Sequence, residues 1–260
     1  MARVPPQVIP RPAGWEPGQP APWARVPETE RTNIALDRVL AAFGELGQLG
    51  PVPDTGSDRL FAPAVLVREG PVTGSGDTVP HRVNAGVLAT LFEEGGETRV
   101  ILTRRSSGLR THKGEVSFPG GRLDAGEGPA QAALREAHEE VGLEPRAVTA
   151  VGWMHPVMTL VSSSLIMPVL ATVAARPRLV ANPHEVERVF DVALAELADP
   201  AVFHEERWRV PGRSVPGRAD GSFPVWFFEV AGEIIWGATA RMLHELLSIV
   251  LTGTTGTTGA

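Results

Sequence analysis

The sequence predicts an α/β (α+β) domain in which a mixed β-sheet is sandwiched between α-helices, and three observations carry that expectation. Short apolar runs of strand character lie on both sides of a central stretch with helical spacing, so one sheet draws strands from before and after a helix. The stretch Gly237 to Val250 repeats apolar residues at helical spacing and supplies a second covering element. Hydrophobic content of 43% and charged content of 21% over 260 residues suffice for a sizeable core. One catalytic domain with extended ends is the expectation for that length.

Residues 1–27, rich in Pro and Arg, are expected to form an extended or disordered arm, because they offer little to a core. The domain proper is expected over 28–251. It opens with a helix over 28–46, in which Ile34, Leu36, Val39, Leu40, Phe43 and Leu46 form one apolar face. A Gly/Pro-rich linker spans Gly47 to Gly56, and the core is expected over about 61–247. Phe61 to Val67 reads as a strand and Glu69 to His81 as a Gly-rich excursion. Gly86 to Phe92 and Val100 to Thr103 read as a hairpin closed by Glu93-Glu94-Gly95-Gly96. Ala147 to Gly152, Ile166 to Val173 and Val225 to Val230 are further strands. The Thr/Gly tail, 252–260, is expected to be flexible.

Composition excludes several classes of function. A net charge of -6 gives no global attraction to nucleic acid or to an anionic membrane, so any phosphate-rich ligand must meet a local cluster of cations. The absence of cysteine removes disulfides, Cys-based zinc sites and thiol nucleophiles together. The Pro-rich start lacks the apolar run of a secretion signal, and no later stretch is long and apolar enough to span a bilayer. A cytoplasmic enzyme acting on a small molecule is the expectation.

The chemistry resides in Gly121-Arg-Leu-Asp-Ala-Gly-Glu127, seven further residues, and Arg135-Glu136-Ala137-His138-Glu139-Glu140-Val141-Gly142-Leu143. Pro129 suits the first turn of a helix and Gly142 its end. At about 100° per residue, Ala133, Leu134, Ala137 and Val141 fill one apolar arc, while Glu136, Glu139 and Glu140 occupy the adjoining one. Carboxylates three and four residues apart repel, and glutamates near a helix C-terminus oppose its dipole. A divalent cation would reverse the sign of that interaction, and oxygen ligands suit Mg²⁺ or Mn²⁺.

This pattern resembles the box of the Nudix hydrolases at every defined position. Seven fixed residue types match, a coincidence on the order of 10⁻⁸ per start site at average residue usage. The resemblance implies the Nudix fold and metal-assisted hydrolysis of a phosphoanhydride. It further implies that Glu136 and Glu140 are the principal metal carboxylates, Glu139 a further ligand or base, and the Gly120 carbonyl another metal ligand. By the same resemblance Arg135 and Glu127 orient the loop and the helix.

A second signature precedes the box: Ile101-Leu-Thr-Arg-Arg-Ser-Ser-Gly-Leu-Arg110-Thr-His-Lys-Gly114-Glu-Val-Ser-Phe118-Pro-Gly-Gly121. It resembles the pattern of coenzyme A pyrophosphatases, departing only by Ile101 for Leu. The stretch from Thr98 to Gly114 holds no acid and the cations Arg99, Arg104, Arg105, Arg110 and Lys113, a strongly positive local field. Arg105 and Arg110, with Arg104 and Lys113, are the expected contacts to substrate phosphates, and coenzyme A or a close relative is the expected substrate. Trp236-Gly237-Ala238-Thr239 also resembles the family and is read as packing. Glu185 and Glu187 are candidates for an additional ligand or base.

Rival motifs fail on their own spacing. His138-Glu139 and His244-Glu245 begin like zinc-protease helices, but Gly142 and Ser248 stand where a second histidine is needed. Neither a G-x-S-x-G elbow nor a G-x-x-x-x-G-K-[ST] loop occurs. Two alternatives stay open: a Nudix enzyme for ADP-ribose or another nucleoside diphosphate derivative, and a non-catalytic nucleotide sensor on the same fold. The oligomeric state, including a homodimer, also stays open.

Overall fold

The computed structural model describes residues 7, 9–50, 83–109, 111–159, 164–209 and 221–255. The expected strand Phe61 to Val67, the Glu69 to His81 excursion and Arg110 lie outside them. The elements in chain order are β1 (Glu16–Pro17), α1 (Glu28–Arg31), α2 (Leu36–Glu45), β2 (Ala85–Glu94), β3 (Glu97–Arg105), β4 (Val116–Ser117) and β5 (Gly120–Arg122). They continue as α3 (Pro129–Val141), β6 (Val148–Trp153), β7 (Val157–Met158), β8 (Leu165–Val173) and β9 (Val186–Ala193). The last are α4 (Leu194–Leu197), β10 (Phe203–Arg209), β11 (Ser222–Val230), β12 (Glu233–Trp236) and α5 (Gly237–Thr252).

The larger sheet is mixed: β2 and β8 run parallel and all its other pairings are antiparallel. Its central strand β2, Ala-Gly-Val-Leu-Ala-Thr-Leu-Phe, is buried on both faces, which is why it reads as a continuous apolar run. Val87, Ala89 and Leu91 join a core with α2 and α5, whereas Leu88 and Phe92 join one with Ala133, Ala137 and Val141 of α3. The sheet is therefore sandwiched, and the architecture is α+β as expected.

The β2–β3 hairpin turns at Gly95 and Gly96, both at positive φ, and the two strands pair only from Leu91/Val100 to that turn. Beyond this point they part. β5 then pairs with Ala85 to Val87 of β2, and β4 with Thr103 and Arg104 of β3, so the Phe118-Pro119 corner is wedged between the separated strands. The N–H of Leu88 donates to the Pro119 carbonyl at 2.8 Å. This wedge delivers the loop of the second signature and the start of the box to one end of the sheet.

Several elements differ from the expectation. The helix expected over 28–46 is broken between α1 and α2, where the carbonyl of buried Ile34 accepts the N–H of Thr98 on β3. The strands β9, β10 and β12 escaped the sequence reading. Their charged residues are balanced by partners elsewhere in the chain, as with Glu206, which is buried between Arg11 and the Trp208 indole N–H. With β1 and β11 these strands build a second sheet in the order β1-β10-β11-β12. The Pro-rich lead contributes to it: Glu16–Pro17 pairs with β10, and Trp23 is fully buried against Phe203, Phe228 and His244. Trp236 packs on Phe227 and Trp208, and the Thr239 hydroxyl donates to the Val116 carbonyl at 2.9 Å, tying the start of α5 to β4. Among the described residues no helix is long and apolar enough to cross a membrane.

Candidate functional site

Helix α3 begins with Pro129 in its first turn, the Gln131 side chain accepts the Gly128 N–H, and Gly142 ends the helix in the left-handed conformation (φ 66°). Its last carbonyls would otherwise lack donors. The N–H groups of Val180 and Asn182 fill that need, donating to Val141 and Glu140 at 2.9 and 2.8 Å. This capping pins the segment that leads into β9, and with it Glu185.

The result is a cluster of three carboxylates: oxygens of Glu136, Glu140 and Glu185 lie within 4.8 Å of one another. Glu136 and Glu140 share a face because they are one helical turn apart. Glu139, expected as a further ligand, is exposed and stands outside the trio, its carboxylate 3.7 Å from Arg135. The reason is rotation: Glu139 lies about 100° from Glu140, on the solvent side of the helix. Glu187 also stands apart and pairs with Arg104 at 3.5 Å.

Glu140 is the buried member. Its carboxylate accepts the Gly120 N–H at 3.1 Å, and the Arg105 guanidinium lies 3.6 Å away. Burial nevertheless dominates and pushes its pKa up to about 7, with Glu136 and Glu185 adding to the rise. A Cβ at Gly121 would fall 2.4 Å from the Glu136 carboxyl carbon and displace that side chain, so glycine here leaves the Glu136 carboxylate room against the loop backbone.

Arg135 binds the box together. It donates to both Glu127 oxygens at 2.8 and 3.0 Å, to Glu136 at 2.9 Å and to the Arg122 carbonyl at 3.0 Å. These bonds and the Asp124 N–H hold the Glu127 carboxyl down to about 2. The loop of the box is thereby fixed on α3.

The expected phosphate-binding cations divide. Adjacent residues on a strand face opposite ways, and a bulge in the β3–β9 pairing falls between Arg104 and Arg105. Arg105 turns to Glu140. Arg104 goes to the other face, where it is buried and donates to Glu233 at 2.6 Å; Arg188 donates to the same carboxylate at 3.1 Å. Lys113 is exposed in the turn before β4. Arg104→Met should therefore lower stability by about 3 kcal/mol, because it strands part of a buried charge pair. Thermal unfolding should show this while KM stays within about twofold, and a selective rise in KM would instead place Arg104 at the substrate.

A further polar pair lies on the α5 side. Glu245 accepts the His155 N–H at 3.0 Å and contacts its ring Nδ1 at 2.7 Å, and this raises the His155 pKa. His244, one residue earlier, is held down to about 4 by burial and packs as an aromatic ring.

Two carboxylates from α3 and one from the segment before β9 thus gather beside the glycine-bearing loop of an α+β domain, a donor set of the class that can hold a divalent cation. Residues 80–210, half of the chain, match the NUDIX domain family model, and the protein belongs to that family. It is 31% identical to Nudix hydrolase 3 of Caenorhabditis elegans over 172 residues, covering 63% of this chain and 72% of that one. It is 34% identical to Nudix hydrolase NudL of Escherichia coli K12 over 171 residues, covering 65% and 83%. A mitochondrial Nudix hydrolase 15 of Arabidopsis thaliana is 36% identical over 175 residues, covering 64% of this chain and 58% of the plant protein.

Proposed function

We propose that this protein is a metal-dependent pyrophosphohydrolase that splits coenzyme A or its derivatives into 3′,5′-ADP and 4′-phosphopantetheine, or its acyl form. The observation that carries the reading is the gathering of Glu136, Glu140 and Glu185 within 4.8 Å, with Arg105 3.6 Å from Glu140 and Arg135 donating to Glu136. Three clustered carboxylates, one of them buried, outnumber the two guanidinium groups beside them, of which Arg135 is shared with Glu127, and form a donor set suited to a hard divalent ion. Glu136, Glu140 and Glu185 would hold Mg²⁺ or Mn²⁺, with the Gly120 carbonyl as a further ligand. Such an ion supplies Lewis-acid charge to phosphate oxygens and lowers the pKa of a water.

The chain's own residues do the positioning. Arg135 and Glu127 keep the loop on α3, and Glu140 stays in place through the Gly120 N–H. Arg105 and Lys113 offer donors to phosphate oxygens, and Arg110, outside the described residues, lies between them in sequence. In the net step a water oxygen bonds to one phosphorus, the bridging P–O bond breaks, and the bridging oxygen leaves with the other phosphate.

Coenzyme A is supported by the signature from Ile101 to Gly121 and by its acid-free basic stretch. A nucleoside diphosphate derivative such as ADP-ribose is the second reading, favoured by the diversion of Arg104 into Glu233. Incubation with Mg²⁺ or Mn²⁺ and free, oxidised or acylated coenzyme A, ADP-ribose and dinucleotides, followed by product identification, separates the two. Release of 3′,5′-ADP is the expected result. A higher kcat/KM for ADP-ribose would transfer the assignment to the second reading, and no turnover of any compound would leave a nucleotide sensor.

A further inference from the structure

We propose that Gln7, in the Pro-rich lead, is a positioning residue for Arg105 and so for the phosphate-binding side of the site. Its side-chain Nε2 donates to the Gly114 carbonyl at 2.5 Å, a contact across 107 residues of sequence. Gly114 is buried, sits at φ 67°, and closes the neck of the basic turn. Its N–H donates to the Arg105 carbonyl at 3.1 Å, and the Arg105 N–H donates to the Glu115 carbonyl at 2.9 Å. Arg105 is thus held on both sides of its backbone by the segment that Gln7 braces, at the bulge that aims its guanidinium at Glu140.

Gln7 can act this way because the lead is anchored independently behind it. Arg11 donates to the buried Glu206 at 2.8 Å, Glu16–Pro17 adds a strand beside β10, and Trp23 is sunk in the core. The brace therefore links the lead that Arg11 anchors on the second sheet to the turn carrying Lys113. No family motif covers this segment, since the box and the basic signature both begin after residue 100.

This inference rests on the role proposed above for Arg105, and the test separates the two. In Gln7→Ala, the KM for coenzyme A should rise about fivefold with kcat within twofold and the melting temperature nearly unchanged, as expected for loss of one hydrogen bond that orients a binding group. Gln7→Glu, isosteric but without an N–H to give, should match it. Adding Gln7→Ala to Arg105→Ala should raise KM no further. Glu16→Ala, which removes an exposed pair with Arg209 in the same lead, should leave KM as it is. Amide exchange across residues 111–117 should quicken in Gln7→Ala, whatever the substrate proves to be.

An unchanged KM, an unchanged exchange rate, or an equal rise in KM in Glu16→Ala would each overturn the brace. Wild-type protein inactive on every pyrophosphate tested would instead remove the reading of the site, while the exchange measurement still judged the contact.

Discussion

Glu140→Gln is expected to reduce kcat by about a thousandfold or more while leaving the fold intact, the largest functional effect of any single substitution considered. Glutamine keeps the volume of the buried side chain and an oxygen that can still accept the Gly120 N–H. What disappears is a negative charge in a water-poor position, where its field on an ion is strongest. The same burial makes that charge costly for the metal-free protein. The folded pKa of about 7 lies above the ordinary carboxylate value of 4.5, so the wild type should lose stability as pH rises from about 4.5 to 7 in chelator. Glu140→Gln should flatten that slope and melt at the same temperature or slightly higher. Function and stability are thus opposed at one residue, as at many active sites. Thermal melts in chelator and kcat with saturating Mg²⁺ check both halves, and a variant retaining a tenth of wild-type turnover would remove Glu140 from the reaction.

Much of the site was legible because its parts lie on one helix and one loop. Glu136 and Glu140 are separated by a single turn, so helical spacing predicts their shared face, whereas the bonds of Arg135 to Glu127 were expected only from the resemblance to the family. Glu139 shows where that logic ends. A helical wheel identifies which carboxylates adjoin, but the sheet beneath the helix decides which of them is buried. Glu185 comes from a segment docked by capping of α3, and nothing in its immediate neighbours distinguishes it from Glu187 two residues on. Arg104 and Arg105 illustrate a further limit: alternation along β3 was available in the sequence, but the bulge that aims Arg105 depends on β9.

The fold divides in a similar way. Strands with continuous apolar character, β2 and β8, and the helices α3 and α5 are recognisable because one periodicity dominates each. β10, Phe-His-Glu-Glu-Arg-Trp-Arg, carries five charged or titratable residues in seven, and its strand pairs with β1 and β11 while Arg11, Trp208 and Trp226 donate to its glutamates. Low local hydrophobicity was also the ground for expecting a disordered lead, and it overlooked what one tryptophan can contribute.

Trp23→Ala carries the largest expected effect on stability. The indole is fully buried, with Phe203 edge-on at 5.3 Å, Phe228 stacked at 6.3 Å and the neutral His244 ring at 5.6 Å. Removing so large a side chain from a closed core costs about 3–5 kcal/mol, or a fall of roughly 10 °C in melting temperature for a chain of this length. Trp23→Phe should cost much less. It retains most of the ring packing and removes an indole N–H that is buried without a partner among the described residues, so part of the lost contact is offset. The comparison matters because a detached arm predicts no effect from either change. Melting of both variants to within about 1 °C of wild type would return residues 1–27 to solvent and detach Gln7 from the turn it is proposed to brace.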